Sequence, residues 1–138
     1  MTETIFHKII RKEIPARIVF EDDYVIAFLD IAPVAPGHTL VVPKMAKGAN
    51  MYENEVGSLD EMFRAVHRLG PRIAKAVGAE GFDAAMNNGE VGGQTVMYPH
   101  VHIMPRFRND GLRFWPKLER PAEQLDRDAD VIREALIS

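Results

Sequence analysis

The sequence predicts an α+β fold on a mostly antiparallel sheet, and three observations lead there. Its β-branched and aromatic runs are grouped as hairpins, helical stripes fall between those groups, and no strand–helix–strand unit repeats along the chain. From Thr4 to Ile14, the apolar positions Ile5, Phe6, Ile9, Ile10 and Ile14 recur at helical spacing among Lys8, Arg11, Lys12 and Glu13, so a short amphipathic helix is expected there, closed by Pro15. Two runs, Ala16 to Phe20 and Tyr24 to Ile31, flank the acidic turn Glu21-Asp22-Asp23 and read as an antiparallel hairpin. Pro33, Pro36 and Gly37 then stiffen a loop that leads into a strand from His38 to Pro43.

Ser58 followed three residues later by Glu61 is a capping-box signal. Behind it, Leu59, Met62, Phe63, Val66, Leu69, Ile73 and Val77 form the stripe of a long core helix, in which Pro71 predicts a kink near Leu69 to Arg72 or a break into two segments. A strand from Phe82 to Asn87, a glycine-rich turn from Gly89 to Gly93 and a long last strand from Gln94 to Arg106 follow. Residues 107–138 read as an extension: a loop, then a helix from Ala122 to Leu136 with Leu125, Ala129, Ile132 and Leu136 on one face.

The 138 residues are 46% hydrophobic and 27% charged, which suits a single domain, 1–138, with its own core. There is no cysteine, which excludes disulfides, thiolate metal sites, iron–sulfur clusters and a cysteine nucleophile, and leaves five histidines as the versatile side chains. A net charge of −3 without a basic block argues against polymeric nucleic acid as a partner. No stretch approaches the ~20 apolar residues of a membrane span, so a soluble, cytoplasmic protein is expected.

Alternation in the last strand predicts Tyr98, His100, His102, Met104 and Arg106 on one face, and Val101, Ile103 and Pro105 on the other. Two imidazoles then stand ~7 Å apart along the strand. Such a pair suits a metal ion, a phosphate, or a division of nucleophile and acid work. The preceding turn adds Gly89, Gly92 and Gly93, whose backbone N–H groups can approach an anion, and the neutral donors Asn87, Gln94 and Thr95. Together these point to phosphate handled beside a neutral nitrogen nucleophile, with His38 placed to supply a third imidazole from a neighbouring strand. His7 and His67 fall on helices and read as structural.

The segment Gly93 to Arg106 resembles the signature of the histidine-triad (HIT) family, in which histidines alternate with apolar residues. The resemblance extends to Ile5-Phe6-His7-Lys8-Ile9-Ile10-Arg11-Lys12-Glu13-Ile14-Pro15, to Phe28-Leu29-Asp30-Ile31-Ala32-Pro33 and to Gly37 through Lys44, covering roughly residues 4 to 106 and looking most like the Hint branch. It implies a HIT-like sheet of about five antiparallel strands, a homodimer, and hydrolase or transferase activity on purine nucleoside phosphoramidates and aminoacyl-adenylates. It also implies His100 as the nucleophile, His102 against the phosphate and His38 beside the triad. By the same resemblance Asp30 holds the ribose hydroxyls, Ile5, Phe6, Ile9, Phe28 and Ile31 line the base, and Asn87, Gln94 and Thr95 contact the phosphate. No cofactor or metal is implied.

One position departs from the pattern. The first triad histidine is Tyr98 here, followed by Pro99. A tyrosine carries no positive charge near pH 7, but its backbone carbonyl is unchanged, and in the family that carbonyl holds the nucleophile's ring. Two alternatives follow: a purine-nucleotide-binding module with weakened catalysis, in which Tyr98→His would raise the rate, or a dinucleoside polyphosphate hydrolase. Trp115-Pro116 resembles the Trp-Pro near the Hint C-terminus. The helix after it has no Hint counterpart, and its apolar face is expected to meet a partner.

Overall fold

A computed structural model describes residues 1–137. Five strands, β1 (Ile18–Glu21), β2 (Val25–Leu29), β3 (Thr39–Pro43), β4 (Gly81–Ala85) and β5 (Val101–Arg106), form one sheet in the order β1-β2-β3-β5-β4. Every neighbouring pair is antiparallel. Three α-helices complete the fold: α1 (Ile5–Ile10), α2 (Val56–Ala76) and α3 (Ala122–Ile137), with a turn of 3-10 helix at Met51–Glu53. The expected α+β class and its five-stranded antiparallel sheet are therefore what the chain forms, including the added C-terminal helix.

β2 and β3 are buried along nearly their whole length because both sheet faces are covered. On one face Val25, Ala27, Val41, Val101 and Ile103 pack against Leu59, Met62, Ala65, Val66 and Leu69 of α2. On the other, Ile26, Phe28, Leu40 and Val42 meet Phe6 and Ile9 of α1 and the ring of Tyr98. Two glycines set these positions. A Cβ at Gly70 would lie 2.5 Å from the Phe82 ring, so α2 approaches β4 at a separation that only glycine permits. Gly37, with φ at +83°, turns the chain directly into β3.

Several boundaries differ from the sequence expectation. α1 ends at Ile10, and Lys12 takes a left-handed φ of +63°, leaving Ile14 outside the helix. Its N-terminus carries a capping box that uses His7: the Thr4 hydroxyl accepts from Phe6 N–H, and His7 Nδ1 accepts from Thr4 N–H at 2.9 Å. The expected Ser58 capping box does not form. α2 starts three residues earlier, with Glu55 at the N-cap, and the Ser58 hydroxyl donates to the Glu55 carbonyl inside the first turn. Nor does Pro71 break α2, which runs as one helix through the proline because buried residues on both sides of it, Leu69 and Ala74 among them, are fixed to the core.

β4 stops at Ala85 rather than Asn87, and β5 starts only at Val101 rather than Gln94. Residues 94–100 leave the ladder for a physical reason. The Gln94 amide is turned inward to bond Ala49 and Val96 carbonyls, Tyr98 N–H bonds Val96 O, and Pro99 has no N–H to give. Burial then alternates along β5, with Val101, Ile103 and Pro105 buried toward α2 and His102, Met104 and Arg106 half-buried on the opposite face. No helix among the described residues is long and apolar enough to cross a membrane.

Candidate active site

The register of the sheet builds the site. Phe28 of β2 lies across from Leu40 of β3, Leu40 across from His102 of β5, and His102 across from Ala85 of β4. This row faces α1, so apolar residues stand on one side of an imidazole. His38 immediately precedes β3 and His100 immediately precedes β5, and both are 4% exposed. The three rings form a chain, with centroids 4.9 Å apart from His100 to His102 and 5.2 Å from His102 to His38. The edge of Phe6 meets the His100 ring at 5.0 Å and 90°.

Hydrogen-bond partners order the protons on these rings. The Tyr98 carbonyl accepts from His100 Nδ1–H at 2.7 Å, which leaves the lone pair of His100 on Nε2. Val34 N–H donates to His38 Nδ1 at 3.1 Å, so the His38 proton sits on Nε2. That proton is donated to His102 Nδ1 at 2.9 Å, and the proton of His102 therefore sits on its Nε2. The outcome is one ring with an unprotonated Nε2 beside another with a protonated Nε2, a nucleophile next to a donor.

Electrostatics keep all three rings neutral near pH 7. Burial pulls His100 below the usual imidazole range, against the opposing pull of the Tyr98 carbonyl and Asp30. His102 is lowered to about 4, first by burial and then by the proximity of His100 and His38. His38 is lowered by burial, with Asp30 opposing. Burial also raises the Tyr98 phenol to about 12, so its hydroxyl stays protonated.

A cavity of about 550 Å³ opens over this row. Its apolar wall includes Ile5, Phe6, Ile9, Phe28 and Ile31, and its polar end carries Asp30, Thr95, His100 and His102. Asp30 accepts from Ala32 N–H at 2.9 Å, which fixes its carboxylate at the cavity edge, and its second oxygen lies 3.6 Å from His38 Nε2. Two residues expected at the phosphate do not line the cavity. Gln94 is buried, with Oε1 accepting from Gly89 N–H and Nε2 donating to Ala49 and Val96 carbonyls. Asn87 Nδ2 donates to Gly92 O at 2.7 Å. Both amides shape the turn.

The turn's backbone donors are also spent internally: Gly92 and Gln94 N–H bond Gly89 O, and Gly93 N–H bonds Glu90 O. The anion cradle expected from its glycines is thus closed at those positions, and Thr95 and His102 are left facing the cavity. Sequence reasoning missed Ile14, Pro15, Ala16, Arg17, Leu29, Leu40 and Val96 in the lining. The register would have found Leu40, which pairs with both Phe28 and His102; Arg17 carries no periodic signal. Of the remaining histidines, His7 completes the Thr4 capping box of α1 and His67 is exposed on α2.

Asp30, His38 and His102 also bring ligand atoms within 4.8 Å of one another. The two facing imidazole nitrogens, however, are donor and acceptor of one 2.9 Å hydrogen bond. A tetrahedral zinc with bonds of about 2.0–2.1 Å would need two lone pairs there and nitrogens roughly 3.3 Å apart. The cluster is arranged to order protons and does not fit a metal as it stands.

Residues 11–109 match the HIT domain family model. The chain belongs to the HIT family. An uncharacterized HIT-like protein of Methanocaldococcus jannaschii is 44% identical over 109 residues, spanning 78% of this chain and 81% of that one. Adenylylsulfatase HINT1 of Arabidopsis thaliana is 44% identical over 103 residues, 73% of this chain and 69% of that protein. A solved structure from Streptococcus mutans aligns with a TM-score of 0.89 at 34% identity, covering 99% of this chain and 87% of that chain. This HIT protein is of the Hint type. Solved structures of a HIT family protein from Bacillus subtilis and of a histidine triad nucleotide-binding protein from Candida albicans cover 96% and 98% of this chain, so the C-terminal helix, expected from the sequence to have no Hint counterpart, falls within the aligned length.

Proposed function

We propose that this chain, a nucleotide-binding hydrolase or transferase of the HIT family, attacks the α-phosphorus of purine nucleoside phosphoramidates and related conjugates through a covalent nucleotidyl intermediate on His100. The observation that carries this reading is the 2.7 Å bond from His100 Nδ1 to the Tyr98 carbonyl, which leaves Nε2 unprotonated in a cavity with an apolar wall. In the first step the Nε2 lone pair forms a bond to phosphorus, and the bond from phosphorus to the leaving group breaks. The leaving group departs with that electron pair, and an amine takes up a proton from solvent. Water then attacks the phosphorus and gives up a proton to solvent, the bond from phosphorus to Nε2 breaks with its electron pair returning to the imidazole, and the nucleoside monophosphate and neutral His100 are released. His102 Nε2–H and the Thr95 hydroxyl face the phosphoryl oxygens and stabilise their charge, the larger share of catalysis in such transfers.

Asp30 would hold the ribose hydroxyls, with Phe6, Ile9 and Phe28 against the base and Ile5 and Ile31 at the exposed rim. We also propose that the 138 residues act as one domain in a cytoplasmic homodimer, which the exposed apolar residues of α3 support. The relative named an adenylylsulfatase places adenylyl sulfate among the conjugates to test, because its sulfate leaves from the same phosphorus. The experiment follows nucleoside monophosphate release from an adenosine phosphoramidate, adenylyl sulfate, an aminoacyl-adenylate and a dinucleoside polyphosphate, with wild type and His100→Ala. The expected result is turnover of at least one of the first three by wild type only. Equal rates in the two proteins would refute the role of His100, and turnover confined to the dinucleoside polyphosphate would refute the substrate class.

A further inference from the structure

We infer that Tyr98 is a positioning residue: its phenol hydroxyl clamps the end of β3 and so fixes the carbonyl that orients the His100 ring. The inference rests on the reading of His100 as the nucleophile. Because β5 begins at Val101, the Tyr98 carbonyl lies outside the strand ladder, and something else must hold it to within hydrogen-bonding precision. The Tyr98 side chain does so.

Its hydroxyl donates to the Pro43 carbonyl at 2.6 Å, across 55 residues of sequence. Its ring meets the edge of Phe6 at 6.4 Å and 80° and that of His7 at 4.8 Å and 80°. The residue is 1% exposed, and the Pro99 that follows is fully buried. His7 is itself fixed by the Thr4 cap, so Tyr98 ties the helix lining the base, the last residue of β3 and the nucleophile's carbonyl into one unit. An imidazole at position 98 is shorter than a phenol and would not reach the Pro43 carbonyl from the same backbone. Tyrosine at this place is then a working substitute with its own anchor, and the sequence expectation that Tyr98→His would raise the rate is reversed.

The test compares Tyr98→Phe, which removes only the hydroxyl, and Tyr98→His with wild type. A control, Val66→Ala, loosens the core on the opposite sheet face. Steady-state kinetics on an adenosine phosphoramidate separate kcat from KM, and ¹⁵N NMR of the imidazoles reads the tautomer of His100. Both Tyr98 variants should lose at least tenfold in kcat with KM within about threefold, since sub-ångström misplacement of a reacting group is enough for such losses. Their His100 signals should move from one Nδ1–H tautomer to a mixture, while Val66→Ala keeps kcat and tautomer. Tyr98→Phe within twofold of wild-type kcat, Tyr98→His faster than wild type, or Val66→Ala losing as much would each overturn the inference. Should the variants not fold, wild type alone decides: a slowly exchanging Tyr98 hydroxyl proton and a single His100 tautomer are expected, and fast exchange or mixed tautomers would refute it. These NMR readouts need no turnover, so their failure is distinct from failure of the proposed reaction.

Discussion

The proton order through His38 and His102 can be broken at one end without touching either ring that faces the cavity. Asparagine at position 38 can replace the Nδ1 acceptor used by Val34 N–H but is too short to reach His102, whereas glutamine reaches toward the Nε2 position and can keep the donor. A neutral hydrogen bond contributes about 0.5–1.5 kcal/mol. At 2.9 Å and with His38 only 4% exposed, this bond belongs near the top of that range, and 1.4 kcal/mol corresponds to about tenfold in rate. Losing a transition-state donor altogether would cost about 10²–10³, which sets the ceiling. Stopped-time assays of nucleoside monophosphate release should therefore show His38→Asn about tenfold down in kcat with KM nearly unchanged, and His38→Gln within about threefold of wild type. Equal losses in the two variants, or none in either, would refute the relay.

Other outcomes follow from the same geometry. A half-buried, neutral His102 with a folded-state pKa of about 4, against 6.5 unfolded, means the unfolded chain binds more protons between those values. Stability should accordingly fall as pH drops from 6.5 to about 4, by up to about 3 kcal/mol from this residue, and denaturant unfolding of wild type against His102→Ala will show whether the slope vanishes with the ring. Activity should hold down to a pH below the ordinary imidazole range before protonation of His100 removes its lone pair; an acid limb at or above 6.5 would count against a buried nucleophile. Asp30→Asn should weaken AMP binding about 10-fold or more, the worth of hydrogen bonds to a charged group, and leave 2′,3′-dideoxy-AMP binding unchanged by calorimetry. EDTA should leave the rate where it was, since the proposed nucleophile and the phosphoryl donors are His100, His102 and Thr95 of the chain itself; a rate lost to EDTA and restored by a divalent ion would refute this.

Much of the architecture is local and was therefore readable from sequence. The β1–β2 hairpin and β3 follow from apolar, β-branched runs bounded by turn residues, and α2 from its apolar stripe, because strands covered on both faces and a helix buried on one face each leave a local signature. The errors arose where a side chain overrode the backbone pattern. Gln94 looks like a solvent-side strand residue or a phosphate donor, yet its buried amide satisfies three backbone groups and pulls 94–100 off the ladder. Ser58 looks like a cap, yet its hydroxyl is used one turn in. His7 looks like an ordinary helix residue, yet its ring closes the capping box by accepting from Thr4 N–H. The contact between His38 and His102 spans 64 residues and depends on a register that no local pattern encodes. The anchoring of Tyr98 on Pro43 is hidden for the same reason, and it changes how the missing histidine is read.

The covalent step is tested most directly by rapid quenching of wild type with an adenosine phosphoramidate, followed by mass spectrometry of the digested protein. An acid-labile adenylyl adduct on His100 that forms and decays at rates matching turnover is the expected result. Turnover with no adduct, or an adduct on His102 or His38 instead, would contradict it.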